Sequence, residues 1–410
     1  MSSTITPIVH RAPRIAGLLA AAVLFACLPP DAPGSCETPP PVTPLAGPVV
    51  MDGPCALGVE SPTRLLVTTT DFATGAVSIV DATTFEVTPD VALGSTDAVP
   101  AWHDGRGLLL HRYQIDALQV LDPTRGWATA ADIPITATCS AAPNPQAIAF
   151  DPDGLGYVTQ LDVPELAVLD PWAAPGEGRV GTIDLRAVSD DDGNPDFGAA
   201  VACGSVIWVV AQRLDAAFAR VGPDELIAVD TAAGVAFDLD PERDGAQGLR
   251  SDGTWLRQLR RDPSDTTGHT LLGLSTGIER FDLDEARVVW AVAPERFADA
   301  GIGEPLQAQS FAISSDGTVA YIAAYDADFA QVRLYSVGLD GAAPQIPIAF
   351  ADGFDSVERT VERIGDRLWY GSTRRSAPGL WVFDLDADPP TPLAGPLSTG
   401  LAPYSLVAIP

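Results

Sequence analysis

A short apolar segment that ends in aspartate recurs along this chain and predicts β-structure. Its apolar positions are rich in Val, Ile and Leu, which favour buried strands. The seven copies, of which only the copy at 332–337 lacks the aspartate, lie at residues 77–81, 118–122, 166–170, 226–230, 278–282, 332–337 and 380–384. The intervals between their last residues are 41, 48, 60, 52, 55 and 47 residues. Each interval has room for four short strands, which is the size of one propeller blade.

The other strands of each repeat can also be read from the sequence. An apolar run at residues 146–150 leads into Asp153-Gly154, and a similar run leads into Asp316-Gly317. Asp-Gly between two apolar runs indicates a hairpin, because glycine adopts positive φ without a Cβ clash. Residues 156–159 then form a second strand, the Asp-terminated run a third, and residues 179–183 a fourth.

The two ends of the repeat region complement each other. Residues 64–68 read as a second strand with no first strand before it, and residues 403–409 read as a first strand with no second strand after it. Pairing them completes a seventh blade and removes exposed sheet edges. We therefore predict an all-β fold, a seven-bladed β-propeller at residues 61–410 closed by pairing the C-terminal strand with the first blade. A β-sandwich or two smaller domains is the alternative.

Two repeats resemble a known family. Residues 156–160, Gly-Tyr-Val-Thr-Gln, with the strand at 168–170, resemble the YVTN-type repeat of bacterial surface and periplasmic propellers. Residues 67–69 followed by 75–81 are similar to it as well, whereas the enlarged blades 4 and 5 match poorly. The resemblance implies a binding scaffold, with some relatives resembling lactonases. No catalytic motif of the family can be carried over to individual residues.

The charge of the chain excludes some partners. It has 54 acidic residues against 24 basic ones, all of them Arg, and a net charge of −30. We expect no nucleic-acid partner, because phosphates require basic protein surfaces. Direct binding to anionic lipid is disfavoured for the same reason.

The N-terminal region reads as an export signal. Residues 1–26 carry two arginines ahead of a short apolar run, as a secretory signal does. The run ends in Leu24-Phe25-Ala26-Cys27, which resembles the bacterial lipobox and implies lipidation (palmitate) of Cys27. Leu28 after the cysteine points to the outer membrane. Residues 27–60 are predicted to form a Pro-rich tether, and an ordinary secretory signal with an incidental cysteine is the alternative.

The remaining cysteines predict disulfides. They are Cys36, Cys55, Cys139 and Cys203, and none forms a C-x-x-C pair. An even number of cysteines in an exported protein favours disulfides over metal or redox chemistry. Four cysteines allow three connectivities, of which Cys36–Cys55 with Cys139–Cys203 is the local choice.

One acidic segment suggests a metal site. Asp190, Asp192, Asn194 and Asp196 alternate as the oxygen ligands of a Ca²⁺ loop do. Pro195, however, takes the position where an EF-type loop needs Gly, and solvated turns use the same residues. Ca²⁺ is the only cofactor that the sequence suggests, since His103, His111 and His269 are too far apart in the predicted ring to share a metal.

The loops that lead into the first strands should form one face of the propeller, around the mouth of the channel. The residues placed at this mouth are Trp102, Asn144, Phe197, Trp255, Gln307, Arg359 and Tyr404. Aromatic and Arg side chains at a concave mouth are typical of recognition sites, although packing between blades would use the same residues. Arginines concentrate on the first strands of blades 5 and 7, at Arg257, Arg260, Arg261, Arg359 and Arg363. They mark either an anion-binding side of the channel or pairing with neighbouring acids.

Taken together, these features predict a lipid-anchored, extracytoplasmic propeller that acts as a binding or scaffold protein at the bacterial envelope. We expect a protein or a small ligand at the propeller face, contact with the membrane through the lipid anchor only, and a monomer. The alternative is a lactonase-like propeller hydrolase with its site at the channel mouth. The low histidine content and the lack of a nucleophile motif disfavour catalysis.

Overall fold

The computed structural model describes residues 42–56, 58–59, 61–136, 142–243, 245–339, 345–355, 358–374 and 376–410, and this part of the chain contains thirty β-strands. The strands are β1 Leu45–Ala46, β2 Arg64–Thr70, β3 Gly75–Asp81, β4 Val87–Gly94, β5 Ala98–His103, β6 Arg106–His111, β7 Ala117–Asp122, β8 Ala128–Pro134, β9 Pro145–Phe150, β10 Gly156–Gln160, β11 Glu165–Leu169, β12 Arg179–Asp184, β13 Phe197–Cys203, β14 Val206–Ala211, β15 Glu225–Asp230, β16 Val235–Asp238, β17 Leu249–Arg250, β18 Gln258–Arg261, β19 Thr270–Leu274, β20 Ile278–Asp282, β21 Arg287–Val292, β22 Phe311–Ile313, β23 Val319–Tyr325, β24 Val332–Gly338, β25 Ile348–Phe354, β26 Val361–Ile364, β27 Arg367–Ser372, β28 Gly379–Asp384, β29 Thr391–Leu397 and β30 Ala402–Ile409. Two 3-10 helices, Pro123–Arg125 and Arg186–Val188, and one helix α1, Pro294–Asp299, complete the described elements.

The strands form seven sheets, which are the blades of a propeller. Blade 1 has the strand order β30-β2-β3-β4, and blades 2 and 3 are β5–β8 and β9–β12. Blade 4 contains β13–β16, with β1 added in parallel beside β16 and β17 paired with β15. Blades 5, 6 and 7 are β18–β21, β22–β25 and β26–β29. The predicted fold class is therefore confirmed, and the seven repeated segments, six of which end in aspartate, are the third strands.

The recurrent aspartate has a structural reason, which is to close the turn after the third strand. The Asp81 carboxylate accepts the backbone N–H groups of Thr83 and Thr84, at 2.8 and 2.7 Å. Asp230 accepts two N–H groups of its own turn in the same way, each at 2.9 Å. A short side-chain acceptor bonded to the backbone two or three residues ahead stabilises such a turn, so the repeat records turn chemistry.

The core lies between the blades. Each of seven apolar clusters in the described chain joins two neighbouring sheets, from blades 1 and 2 around to blades 7 and 1. Trp208, for example, is fully buried between blades 4 and 5, and Trp369 between blades 7 and 1. Since hydrophobic burial is the main favourable term in folding, these contacts hold the ring together.

The ring is closed by the last strand. In blade 1, β30 pairs antiparallel with β2, from Arg64 opposite Ile409 to Thr70 opposite Ala402. Leu406 and Ala408 are buried in the cluster between blades 7 and 1. The first strand of blade 1 thus comes from the opposite end of the chain, as the sequence pattern predicts.

The cysteine pairing differs from the prediction. Cys55 forms a disulfide with Cys203, so the predicted Cys36–Cys55 and Cys139–Cys203 pairs are wrong. Cys36 and Cys139, like Cys27 and the signal segment, lie outside the described residues. The reason for the difference is that the end of the predicted tether is fixed to the propeller. The Asp52 carboxylate accepts the N–H of Ser205, and the Ala56 N–H donates to Ala202 O, at 2.6 and 2.8 Å.

We call the described residues at 55–56, 58–59 and 61–63 the strap. It starts at blade 4 with Cys55, whose N–H also donates to the Gly268 carbonyl of blade 5 at 2.9 Å. It ends at blade 1, where the Thr63 N–H donates to the Ile409 carbonyl at 2.9 Å. Blades 1 and 4 lie on opposite sides of a seven-bladed ring, so the strap crosses one end of the channel. No helix in the described part of the chain is long and apolar enough to cross a bilayer.

Candidate functional site

The central channel is a cavity of about 1010 Å³, and residues of all seven first strands line it. Small side chains on these strands leave the space open, among them Ala101, Ala147, Ala200 and Ala312. We call the end at which the first strands begin the loop mouth, and the end at which they turn into the second strands the hairpin mouth. The strap residues Ala56, Gly58, Val59, Ser61 and Pro62 line the cavity at the hairpin mouth.

The channel concentrates positive charge in an acidic protein. Its described lining contains five arginines but only two acidic side chains, Asp104 and Glu362. The arginines are the ones that the sequence singles out, Arg257, Arg260, Arg261, Arg359 and Arg363. Arg260 forms an ion pair with Glu362 at 2.9 Å. No carboxylate of a described residue lies within ion-pair distance of the other four.

These four arginines bond to backbone carbonyls instead. Arg257 donates to Leu306 O and Ala308 O, at 3.1 and 3.2 Å. Arg359 and Arg261 make only long contacts, to Gln146 O at 3.4 Å and to Cys55 O at 3.5 Å. Arg363 donates to Ile313 O of the neighbouring blade 6 at 2.7 Å and to Gly365 O of its own hairpin turn at 2.5 Å. Since a guanidinium has five N–H donors, most of the donor capacity at Arg359 and Arg261 is free for a ligand.

The environment of two of these arginines disfavours their charge. Burial, with the nearby charge of Arg112, lowers the pKa of Arg359 to about 10. Burial likewise lowers the pKa of Arg257 to about 10, against the effect of Asp224. Both side chains remain protonated at neutral pH, and an anion placed beside them would offset part of this cost.

A polar network joins blades 1 and 2 at the loop mouth. The Tyr404 hydroxyl donates to the Asp97 carboxylate at 2.5 Å, and Arg112 donates to the same carboxylate and to Tyr404. Arg112 also donates to the Gln146 side chain at 3.0 Å, which extends the network to blade 3. Burial raises the pKa of Tyr404 to about 12, so its hydroxyl stays protonated and donates. The network fixes the positions of the first strands beside Arg359.

An aromatic stack lies at the hairpin mouth. The His103 ring stacks on Phe150 with 4.0 Å between centroids and lies nearly parallel to Trp172 at 6.2 Å. Burial lowers the pKa of His103. Both His103 and Phe150 line the cavity, so this end of the channel combines apolar rings with the strap.

Trp102 belongs to the hairpin mouth as well, and its predicted position at the loop mouth is wrong. It lines the cavity near the end of β5, one residue before His103, and its ring lies 6.4 Å from that of Trp127. The turn that follows β5 is formed by Asp104 and Gly105, which both have positive φ. This Asp-Gly pair two residues after Trp102 was the sequence signal for its true position.

Of the other residues predicted at the loop mouth, only Arg359 lines the cavity. Phe197 is fully buried between blades 3 and 4, so it packs in the core and not at the mouth. Trp255 carries the Arg220 guanidinium 5.2 Å from its ring centroid. Asn144 precedes β9, and its backbone carbonyl accepts the N–H of Leu161 at 3.0 Å. Tyr404 belongs to the polar network between blades 1 and 2. Gln307 is half-buried before β22, outside the cavity lining.

The acidic segment at 190–196 forms turns. Asp190 and Asp192 each accept the N–H two residues ahead, at 3.3 and 2.9 Å. Asp196 is buried and accepts from the Leu214 N–H and the Asn194 amide, at 2.9 and 3.1 Å. Burial and the neighbouring carboxylates raise the pKa of Asp196 to about 7 and that of Asp190 to about 6. Within the described ranges, no group of three or more His, Cys, Asp or Glu side chains is arranged to hold a metal ion. The Ca²⁺ interpretation of this segment stays a prediction.

Sequence reasoning missed the glutamines of the channel. Gln146, Gln258 and Gln309 lie at or just before the first strands of blades 3, 5 and 6, and all three line the cavity. Gln258 accepts the Phe311 N–H of the next blade at 2.9 Å. Their repeated position in the blades was a signal that could have identified them.

The described fold is similar to solved propellers. The periplasmic gluconolactonase PpgL of Pseudomonas aeruginosa matches with a TM-score of 0.53 and 15% identity, over 85% of this chain and 99% of that one. A protein from Lactobacillus plantarum matches with a TM-score of 0.52 and 12% identity, over 85% of this chain and 100% of the other. TolB from Acinetobacter baumannii matches with a TM-score of 0.43 and 12% identity over 79% of this chain and 61% of TolB, so this chain spans less than two thirds of TolB.

No sequence relationship accompanies these likenesses. No family model matches the chain, and no curated protein matches it. The structural matches show the β-propeller fold, and membership in the YVTN-type family stays a prediction.

Proposed function

We propose that this protein is an extracytoplasmic binding protein whose propeller holds an anionic small molecule in its central channel. The observation that carries the proposal is the placement of Arg257, Arg261, Arg359 and Arg363 on the channel walls without a described carboxylate partner. The planar guanidinium fork matches carboxylate and phosphate groups and binds them with charge-assisted hydrogen bonds. An anion in the channel would supply the partners that the protein itself does not.

The contrast with the rest of the protein supports this function. The chain has 54 acidic side chains for 24 arginines, and other arginines do pair with them. Arg213 pairs with Glu225 at 2.9 Å, and Arg280 pairs with Asp262 at 3.0 Å. The described lining of the channel, with five arginines and two acidic side chains, thus reverses the charge balance of the whole chain.

The location of the protein is part of the proposal. The Cys55–Cys203 disulfide fits an oxidising compartment, because disulfides are rare in the reducing cytosol. The lipobox at Leu24–Cys27 supports lipidation of Cys27 and retention at the envelope, with the outer membrane as the expected site. Metabolic labelling with palmitate should mark the wild type and not Cys27→Ala. Equal labelling of both would contradict the lipid anchor.

Binding is a better account of the channel than catalysis. The described cavity lining contains one histidine, His103. Its ring stacks on Phe150 and forms no hydrogen bond with a described side chain. The other histidines are engaged elsewhere, His111 with Ser95 and Gln119, and His269 with Asp284. The structure therefore offers no specific observation in favour of the hydrolase that the sequence left as the alternative.

A thermal-shift panel tests the proposed function. Purified protein is melted with anions (gluconate, citrate, glucose 6-phosphate and decanoate), with neutral glucose and decan-1-ol, and with cationic decylamine. A ligand at 100 times its Kd stabilises the native state by about 2.7 kcal/mol, which is a measurable shift in melting temperature. We expect at least one anion to stabilise the wild type, and none of the neutral or cationic compounds to do so to the same extent.

Two matched variants test whether the stabilisation by anions arises in the channel. The double variant Arg257→Gln, Arg359→Gln should lose the stabilisation. Arg287→Gln should keep it, because Arg287 lies exposed on the outer strand of blade 5, paired with Asp282 and Glu285. If no anion stabilises the wild type, or if the channel variant responds as Arg287→Gln does, the proposed function is wrong.

A further inference from the structure

The two sides of the channel differ in chemistry. The five channel arginines, which we call the cationic wall, all come from blades 5 and 7. On the other side of the ring, blades 2, 3 and 4 present what we call the apolar wall, made of Val99, Ala101, Ile148, Phe150 and Ala200. The described lining residues of blades 2 to 4 include one acidic side chain, Asp104. It lies in the hairpin turn at the end of the channel. A molecule in the channel therefore meets charge on one side and hydrocarbon on the other.

The residues of the apolar wall are available to a ligand. Val99, Ala101, Ile148 and Phe150 pack with one side against the core between blades 2 and 3. All four are only half-buried, and their remaining surface faces the cavity. Ala200 is half-buried in the same way against the core between blades 3 and 4. Removing this apolar surface from water is favourable, so a ligand that covers it gains affinity that a fully polar anion does not.

We infer that the channel ligand is an amphipathic anion, with a carboxylate or phosphate group bound by the cationic wall and an apolar body against the apolar wall. This inference rests on the proposed function and adds the class of ligand. The cavity of about 1010 Å³ is large enough for a molecule with both parts. It lies at the upper end of the range of about 300–1,000 Å³ that is usual for ligand pockets.

Both walls of the channel carry groups that a ligand would satisfy. Arg359 and Arg261 make one long hydrogen bond each to a backbone carbonyl, which leaves the guanidinium forks open toward an anion. An anion that satisfied only these donors would leave Val99, Ala101 and Ile148 in contact with water. A neutral apolar molecule would cover these side chains and leave the arginines without a partner. Only a ligand with both parts satisfies both walls.

Isothermal titration calorimetry with three matched probes tests the inference. Decanoate carries one carboxylate on an apolar body, gluconate carries one carboxylate on a polar body, and decan-1-ol has the apolar body without charge. We expect one molecule of decanoate per protein, bound at least tenfold more tightly than gluconate or decan-1-ol. Arg359→Gln should weaken decanoate binding at least tenfold, whereas Arg287→Gln should change it less than twofold.

The apolar wall is tested by substitutions that keep its shape. In the double variant Val99→Thr, Ala101→Ser we expect the ratio of decanoate affinity to gluconate affinity to fall about fivefold. The matched control is Val289→Thr, because Val289 is exposed on the outer strand of blade 5. Circular dichroism and the melting temperature of each variant verify that it is folded.

The outcomes separate this inference from the proposed function. Tighter or equal binding of gluconate, still lost in Arg359→Gln, would overturn the amphipathic ligand and leave an anion-binding channel. Equal binding of decan-1-ol and decanoate would overturn the inference as well, since charge would then contribute nothing. Decanoate binding that neither Arg359→Gln nor the Val99/Ala101 variant weakens would show a site outside the channel. Failure of all anions to bind would overturn both the inference of an amphipathic ligand and the proposed function.

Discussion

Val67 of β2 lies opposite Leu406 of β30, so residues from the two ends of the propeller region pair within one blade. Leu406 is buried together with Leu65 and Val67 between blades 7 and 1. Beside this contact, the Arg359 carbonyl accepts the Leu406 N–H at 3.2 Å. The closure of the ring thus also positions a channel arginine.

Removal of the last strand should open the ring. We expect deletion of residues 401–410 to cause severe destabilisation or aggregation, because the edge of β2 and the cluster around Leu65 would be exposed. Each buried Leu contributes about 1.5–3 kcal/mol, against a net domain stability of about 5–15 kcal/mol. Urea unfolding measures the effect, with deletion of the exposed Pro410 alone as the control. A truncated protein that melts within a degree or two of the wild type would show that β30 does not hold the ring closed.

The disulfide should stabilise the propeller through the strap. Cys55 and Cys203 are separated by 148 residues, and closing so long a loop restricts the unfolded chain. The loop-entropy account gives about 5 kcal/mol for this length, while measured disulfides contribute about 2–4 kcal/mol. The variant Cys55→Ser, Cys203→Ser should lose stability of that order and should be cleaved faster by protease within residues 55–63.

The control for this prediction is the wild type under reducing conditions. It should behave as the double serine variant does, because both lack the same cross-link. Unchanged stability and unchanged cleavage in the variant would mean that the hydrogen bonds of Cys55, Ala56 and Thr63 suffice to hold the strap.

Asp265 should make the stability of the hairpin mouth depend on acid pH. Its carboxylate accepts the N–H groups of Thr267, His269 and Thr270, at 2.9, 2.8 and 2.8 Å. Burial acts to raise the pKa of Asp265, but hydrogen bonds from Thr267 and Thr270 outweigh it and lower that pKa to about 2. Since the unfolded pKa is about 3.9, the ionised form stabilises the native state above pH ~4, and this contribution is lost as the pH falls to about 2.

The variant Asp265→Asn measures how much the ionised carboxylate contributes to the free energy of unfolding. At neutral pH we expect it to be less stable than the wild type by about 1.5–3 kcal/mol, the usual loss for hydrogen bonds to a charged group. The difference between the two proteins should shrink as the pH is lowered from 5 to about 2, because the wild-type carboxyl then becomes neutral. A difference in unfolding free energy that stays constant over this range would contradict the lowered pKa.

Local patterns were sufficient to predict the blades. The third strands end in aspartate because residues such as Asp81 and Asp230 close the next turn, and this chemistry is contained within four residues. Closure could be predicted because the strand types at the two ends were complementary. The arginines of blades 5 and 7 could be predicted to share the channel, since first strands line it in every propeller.

Contacts between distant segments could not be predicted in the same way. The Cys55–Cys203 pair depends on the path of the strap across the channel, and the composition of residues 28–54 indicated only an extended tether. Phe197 faces the interface of blades 3 and 4 and not the channel, because its ring packs against the apolar side chains of both blades. Trp102 was misplaced because its position within the strand, and not its residue type, decides at which mouth it lies.

The affinity of the channel for an anion tests the central claim most directly. Decanoate and gluconate are titrated calorimetrically into the wild type, the variant Arg257→Gln, Arg359→Gln, and the control Arg287→Gln. The claim predicts binding of one anion by the wild type and the control, and at least tenfold weaker binding by the double variant, because only that variant removes charge from the channel wall. Equal affinity of the double variant and the control, or no binding of either anion to the wild type, would contradict it.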